Sequence, residues 1–418
     1  MLQRSNDVGG TVDEAALVAT LNELMAVPSI GGTPDEIEIQ QLLAERLTAL
    51  GLIVDLWPID LPELRGRPDF PGEEVDRTQA WGLVATHRPD QRSGLILQGH
   101  VDVVPPGDLS RWSHGPFAPA VSNGRVVGRG ACDMKGGVAA ILAAVEVALG
   151  GGSEVPPFAV HLVVGEEDGG LGAYATLARG HTGDTCVIPE PTELRLVTAN
   201  AGSLTFRIEV PGQATHGSTR YEGHSAIDAY LPIHRALAAL ERRRNADPEP
   251  PLRDYPIAYP LSVGRLQAGD WASSVPDRLL VEGRYGIRIT EDPAAARAEL
   301  EEAVAEAAQH EPYLRDHPPR VTWPGGVFRG GQLTPGHPLA TKVAEAHQRV
   351  TGREIGPDRG ASYGSDLRLY AGGGIPTLHY GPGSPRQAHG PDESVPIEEL
   401  VIVAAVLERL LHTGIDLT

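Results

Sequence analysis

Phe158-Ala159-Val160-His161-Leu162-Val163-Val164, followed by Gly165-Glu166-Glu167-Asp168-Gly169-Gly170, is the stretch that decides the fold class. An apolar run of this length, ended by a glycine-flanked acidic turn, reads as a buried strand. A helix is expected near 171–179, then a short strand at Thr185–Ile188 that ends at Pro189-Glu190-Pro191-Thr192. Strand, acidic turn, helix, strand, acidic turn is the grammar of an α/β sheet with mainly parallel strands. In such a sheet ligands collect beyond the carboxyl ends of the strands, which is where the acidic turns fall.

The same grammar extends in both directions. Thr11 and Glu14 have capping-box spacing ahead of Leu17, Leu21 and Leu24, and Thr33-Pro34-Asp35-Glu36 opens a second helix that Gly51 closes. Strands are expected at Leu52–Trp57, Gly82–His87 and Leu95–Val104, with an irregular excursion over 58–80, and a helix from about Gly137 to Leu149. The pattern then changes: extended structure over Leu196–Val210, a helix over Ser225–Arg244, strands at Ile257–Leu266 and Leu279–Ile289, and an Ala/Glu-rich helix over Pro293–His310. These elements predict a smaller α+β domain inserted at 197–323. Alternation resumes after Trp323-Pro324-Gly325-Gly326, with a helix at 337–350, the strand Thr377–Tyr380 and a closing helix at 397–412. A discontinuous catalytic domain of 1–196 and 324–418 is therefore expected.

At 418 residues the chain exceeds one ordinary core. A formal charge of -20 argues against a nucleic-acid backbone or an anionic membrane as partner. No run approaches the ~20 apolar residues of a membrane span, and the polar Met1–Gly10 gives no support to export. Two cysteines, Cys132 and Cys186, make no disulfide framework, so a cytoplasmic, reduced protein is expected.

Five segments carry the chemistry: Gly99-His100-Val101-Asp102, Gly130-Ala131-Cys132-Asp133-Met134-Lys135-Gly136-Gly137, the two acidic turns already quoted, and Gln387-Ala388-His389-Gly390-Pro391-Asp392-Glu393. Singly each has an ordinary reading: Asp102 or Asp133 capping a turn or helix, Glu166-Glu167 at an exposed bend, His389 in solvent. Together, in this order and near strand ends, two histidines and several carboxylates match what a pair of divalent ions sharing a water requires.

These motifs resemble the M20 metallopeptidase family, as do Ala214-Thr215-His216-Gly217-Ser218 and Gly364-Ser365-Asp366-Leu367-Arg368. The resemblance spans about Leu21 to Leu410. It implies a di-metal hydrolase domain of mainly parallel sheet with an inserted α+β lid and dimerisation domain. By resemblance, His100 and Glu190 would hold one metal, Glu167 and His389 the other, and Asp133 would bridge them. Asp102 would accept the ring N–H of His100, and Glu166 would be the general base. His216 would stabilise the oxyanion from the partner subunit of a homodimer, and Arg284 would bind a substrate carboxylate. The peptide Asp133-Met134 would be cis. Ser273, in Ser273-Ser274-Val275-Pro276, stands where many relatives carry Asn, and Gly165 stands where they carry Asp. Asp366 and Arg368 are candidates for shaping the substrate pocket.

The implied cofactors are two divalent ions, zinc first, with cobalt or manganese as substitutes. The implied reaction is hydrolysis of the amide of a small N-acyl amino acid or related N-acylated substrate, without a covalent nucleophile. The alternatives are a dipeptidase or carboxypeptidase of the same family and a hydrolase of a specialised amide. A non-catalytic binding protein on the same fold is disfavoured, because neither a ligand nor Glu166 is missing.

Overall fold

The computed structural model describes residues 11–415 of the chain, so the Met1–Gly10 stretch behind the export expectation lies outside the described residues. The chain divides into two compact units. One holds the described residues up to Ala199, Gln332–Arg359 and those from Ser365 onward; the other holds Asn200–Gly331 and Gly360–Gly364.

The first unit is built on a mixed sheet. Its centre is four adjacent parallel strands in the order Phe158–Val163, Leu95–His100, Cys186–Ile188, Thr377–His379. Parallel pairing stops at the flanks. Trp81–His87 pairs antiparallel with Phe158–Val163 and with Ile53–Pro58, and Val197–Asn200 pairs antiparallel with Thr377–His379. Alternation explains why the central strands read as unbroken apolar runs. Leu95, Leu97, Phe158, Val160, Leu162 and Val187 enter one buried cluster, while Ile96, Ala159, Val163, Cys186 and Ile188 enter another. Both faces are covered, as strands of a parallel sheet demand.

Helices Glu14–Ala26, Lys135–Gly150 and Ile397–Thr413 contribute Leu17, Leu21, Ile141, Val145, Val403 and Leu407 to the larger cluster. The first of these is capped by Asp13, whose carboxylate accepts the amides of Ala15 and Ala16, rather than by Thr11. A three-stranded sheet, Ala120–Ser122, Arg125–Val127 and Ser394–Pro396, was not anticipated. It ties the chain ahead of Asp133 to the chain just after His389.

The second unit runs strand, helix, strand, strand, helix, strand: Gly202–Pro211, Ala226–Arg244, Leu261–Ala268, Arg278–Ile287, Pro293–Gln309, Arg320–Thr322. All its pairs are antiparallel, with Gly202–Pro211 and Arg278–Ile287 side by side. Leu204, Phe206, Ile208 and Val210 alternate into a core with Ile233, Leu237, Leu300 and Val304 of the two helices. This unit thus has its own apolar interior. No described helix is long and apolar enough to cross a membrane.

Helix Lys135–Gly150 begins with two glycines because backbone occupies the space of their missing side chains. A Cβ on Gly137 would lie 2.3 Å from the carbonyl oxygen of Pro189, and one on Gly136 would lie 2.4 Å from that of Ala131. Alanine ordinarily gains about 1 kcal/mol over glycine inside a helix. Here the sign reverses: Gly137→Ala lowers stability by about 1–3 kcal/mol through overpacking, read as a lower melting temperature. A melt at or above the wild-type temperature would refute this packing.

Candidate metal centre

The four parallel strands deliver four of the five acidic or histidine segments to one sheet edge. His100 is the last residue of its strand; Glu166 and Glu190 follow theirs within three residues; His389 follows Thr377–His379 after a longer loop. Asp133 arrives from the turn before helix Lys135–Gly150, and its peptide to Met134 is cis. His389 has φ +64, and glycine follows it. Histidine is among the side chains that tolerate this left-handed backbone best.

The side chains converge on Asp133. His100 Nε2 lies 3.0 Å from Asp133 Oδ1, and His389 Nε2 lies 3.4 Å from Asp133 Oδ2. His389 Nε2 is also 3.1 Å from Glu167 Oε1, and His100 Nε2 is 3.8 Å from Glu190 Oε1. Ligand atoms of His100, Asp133 and Glu167 all fall within 4.8 Å of one another. Asp133 therefore stands between the His100–Glu190 pair and the His389–Glu167 pair.

Asp102 departs from the expected role. The Nδ1 of His100 faces the Asp102 backbone carbonyl at 3.0 Å, whereas the nearest carboxylate oxygen is 3.6 Å away. The carboxylate instead accepts the amide N–H groups of Glu166, at 3.3 Å, and Glu167, at 3.2 Å. One residue thus orients the His100 ring through its main chain and fixes the Glu166–Glu167 turn through its side chain.

Electrostatics explain how such a cluster is tolerated. Burial raises the Glu166 carboxyl well above its ordinary value, and the charges of Asp366, Glu190 and Glu167 add to the effect. Burial and Asp133 raise Glu167; burial, Asp133 and Glu167 raise Glu190. Asp133 is lowered despite burial, because both imidazoles hydrogen-bond to it. Burial pulls the His100 imidazole down, yet Asp133, Glu190 and Asp102 push it well above the usual value. Hydrogen bonds to Asp133 and Glu167 push His389 up to about 11. Buried like charges in this number need either protons or cations among them. Two imidazole nitrogens with several carboxylate oxygens form a donor set suited to divalent transition ions. The residues fit a metal centre.

Two buried arginines and their ion pairs were not read from the sequence. Arg77, inside the excursion expected to be irregular, has no exposed side-chain surface. It reaches Glu36 at 2.9 Å and Asp168 at 2.7 Å, and Asp168 also accepts the amides of Glu74 and Val75. Arg129 and Glu393 form a further buried pair at 2.6 Å. The partners lie 41, 91 and 264 residues away, so no local spacing announces them.

Asp366 and Arg368 lie close enough to Glu166 for their charges to interact with it. Both are buried. Asp366 accepts from the Gln98 amide at 3.0 Å, and Arg368 donates to the carbonyls of Ser365 and Gly169. Arg368 thereby braces the turn that follows Glu167. Ser273, His216 and Arg284 belong to the second unit. Ser273 is exposed and its carbonyl accepts the Gly217 amide. His216 is exposed with Nδ1 2.7 Å from the Ser218 hydroxyl. Arg284 is half-buried and donates to the Ser362 carbonyl at 3.0 Å.

Comparison with known proteins agrees with this architecture. The chain is 30% identical over 388 residues to an N-formyl-4-amino-5-aminomethyl-2-methylpyrimidine deformylase of Bacillus subtilis, covering 87% of this chain and 86% of that protein. It is 33% identical over 283 residues to a succinyl-diaminopimelate desuccinylase of Alkalilimnicola ehrlichii, covering 64% of this chain and 68% of that one. A metallo-carboxypeptidase of Sulfolobus solfataricus has the same fold, with a TM-score of 0.76 at 17% identity over 94% of this chain and 98% of that one. The model of peptidase family M20/M25/M40 matches residues 96–413, which include every segment that converges on Asp133, and the chain belongs to that family.

Proposed function

We propose that this protein is a metal-dependent amidohydrolase that removes the acyl group from an N-acyl amino acid or a closely related N-acylated amine. The observation that carries the reading is Asp133 shared between His100 and His389, with the buried Glu166 carboxyl in the same cluster. His100 and Glu190 would hold one divalent ion, His389 and Glu167 the other, with Asp133 common to both; zinc fits the donor set, and cobalt or manganese fits it too. When bound, such ions lower the pKa of a water and polarise the amide carbonyl.

The chain supplies the proton chemistry. Among the described residues the Glu166 carboxylate makes no hydrogen bond, while its amide is pinned by Asp102. A raised acid with a fixed backbone and free oxygens is suited to take a proton from the attacking water and return it to the leaving amine. Names of the two relatives, a deformylase and a desuccinylase, both describe loss of an N-acyl group, which supports deacylation over peptide cleavage. Arg284 has no carboxylate partner among the described residues, and burial lowers its pKa. A guanidinium in that condition favours a substrate with a free carboxylate.

In this reading the second unit is a lid and dimerisation domain. Its exposed Ile227, Leu231, Leu266 and Trp271 support a homodimer, in which His216 would act on the partner's substrate. Free, buried Cys132 and Cys186 are consistent with a reducing cytoplasm.

Glu166→Gln is expected to lower kcat by about 10²–10⁴-fold while metal content, measured by mass spectrometry, stays at the wild-type level; unchanged kcat removes Glu166 as the base. His216→Ala should lower kcat by about 10²-fold, and mixed dimers of the His216 and Glu166 variants should regain activity if the histidine crosses the interface. Arg284→Met should raise KM for N-acyl amino acids and leave KM for N-acylated amines lacking a carboxylate unchanged. Hydrolysis of dipeptides in preference to N-acetyl or N-succinyl amino acids would overturn the deacylase reading.

The metal-free site also makes metal uptake depend on pH. With His389 raised to about 11, its proton is present at pH 7 and must leave when the ring becomes a ligand. Protons compete with the ion, so apparent affinity rises with pH, by about tenfold per unit for each proton released. Titration calorimetry in buffers of different ionisation enthalpy should show release of at least one proton; zero release contradicts the arrangement.

A further inference from the structure

We infer that Glu393 and Arg129 are positioning residues that hold the Asp133 and His389 segments in their ligand arrangement before any ion binds. The inference rests on the metal-binding reading. Neither residue reaches the cluster itself; both act through main-chain groups. Glu393 Oε1 accepts the amide N–H of Cys132 at 2.9 Å and of Asp133 at 3.0 Å. Its Oε2 accepts from Arg129 Nη1 at 2.6 Å. Arg129 Nη2 donates to the carbonyl of His389 at 3.3 Å and to that of Pro105 at 3.4 Å, three residues past Asp102. The Gly128 amide donates to the Glu393 carbonyl at 2.8 Å, and Ser394–Pro396 pairs with Arg125–Val127. The guanidinium also lies over the Trp112 ring, 5.2 Å from its centroid.

Three segments far apart in sequence therefore meet on one buried ion pair. The side chains are 1% exposed for Arg129 and 0% for Glu393, so water cannot replace what they give. The chemistry demands these residue types. Two adjacent amides need an anionic acceptor placed outside the metal cluster. The acceptor's charge must then be cancelled, or it would add to the carboxylates around Asp133. A guanidinium does this and still has donors left for the His389 carbonyl. An amide at 393 can keep its one oxygen on the Cys132 and Asp133 amides only by setting its NH₂ against the Arg129 donor.

Loss of such supporting groups commonly costs about 10–100-fold in metal affinity. The test is titration of the metal-free protein with Co²⁺, followed by calorimetry and by the visible absorption of the bound ion, for wild type, Glu393→Gln and Arg129→Lys. The inference expects both variants to bind Co²⁺ about 10–100-fold more weakly with altered bands. Wild-type affinity and bands in a folded variant would overturn it, whatever the change in melting temperature, because that is how a merely structural pair behaves. Hydrogen exchange on the metal-free wild type needs no variant: the Cys132 and Asp133 amides should be protected, and fast exchange there would refute preorganisation. Failure of wild type to bind Co²⁺ at all would instead sink the metal-binding reading.

Discussion

A carboxylate gripped from both sides by imidazoles is the interaction on which the first unit is organised. Asp133 is 3.0 Å from His100 and 3.4 Å from His389, and those histidines come from opposite ends of the sequence. An isolated buried carboxylate would be protonated by the cost of desolvation. Here the two rings reverse that cost for Asp133, while Glu166, Glu167 and Glu190 around it are raised. One group is kept anionic by its neighbours, while the rest are pushed toward protonation chiefly by burial. Groups interacting this strongly titrate as a set rather than one by one.

The sheet makes this meeting geometrically cheap. Adjacent parallel strands end on the same edge, so residues at or just past three of them become neighbours directly, and His389 reaches them by a longer loop after the fourth. Antiparallel flanks do not disturb this, since they add width and not ligands. Backbone is then brought close wherever glycine permits, as at Gly137 against Pro189, one residue before Glu190. Packing, more than propensity, sets where that helix starts.

Much of this was legible because it is local. Strand-ending acidic turns and the Gly51 stop each carry a signal within a few residues, and the elements they bound appear within a residue or a few. The antiparallel flanks were not legible, because Ile53–Pro58 and Trp81–His87 look the same in either direction of pairing. Nor were the contacts of Arg77, Arg129 and Glu393, whose partners depend on the fold being complete. Asp102 shows the limit most clearly. The resemblance assigns its side chain to His100, but two amides from residues 64 and 65 positions away claim it. The buried contacts of Asp366 and Arg368 with Gln98 and Gly169 are likewise long-range and carry no local signal.

Arg77 has a consequence for how the molecule breathes. Segment 66–80 carries little regular structure and would ordinarily be the first part to open. Its end is anchored by a fully buried guanidinium between Glu36 on a helix and Asp168 beside the Glu166–Glu167 turn. Opening that releases Arg77 strands two buried carboxylates, a cost of several kcal/mol in comparable cases, about 3–5. The segment therefore cannot fluctuate independently of the acidic turn; the two form one cooperative unit of local unfolding. A segment that reads as irregular by sequence behaves as a clasp on that turn.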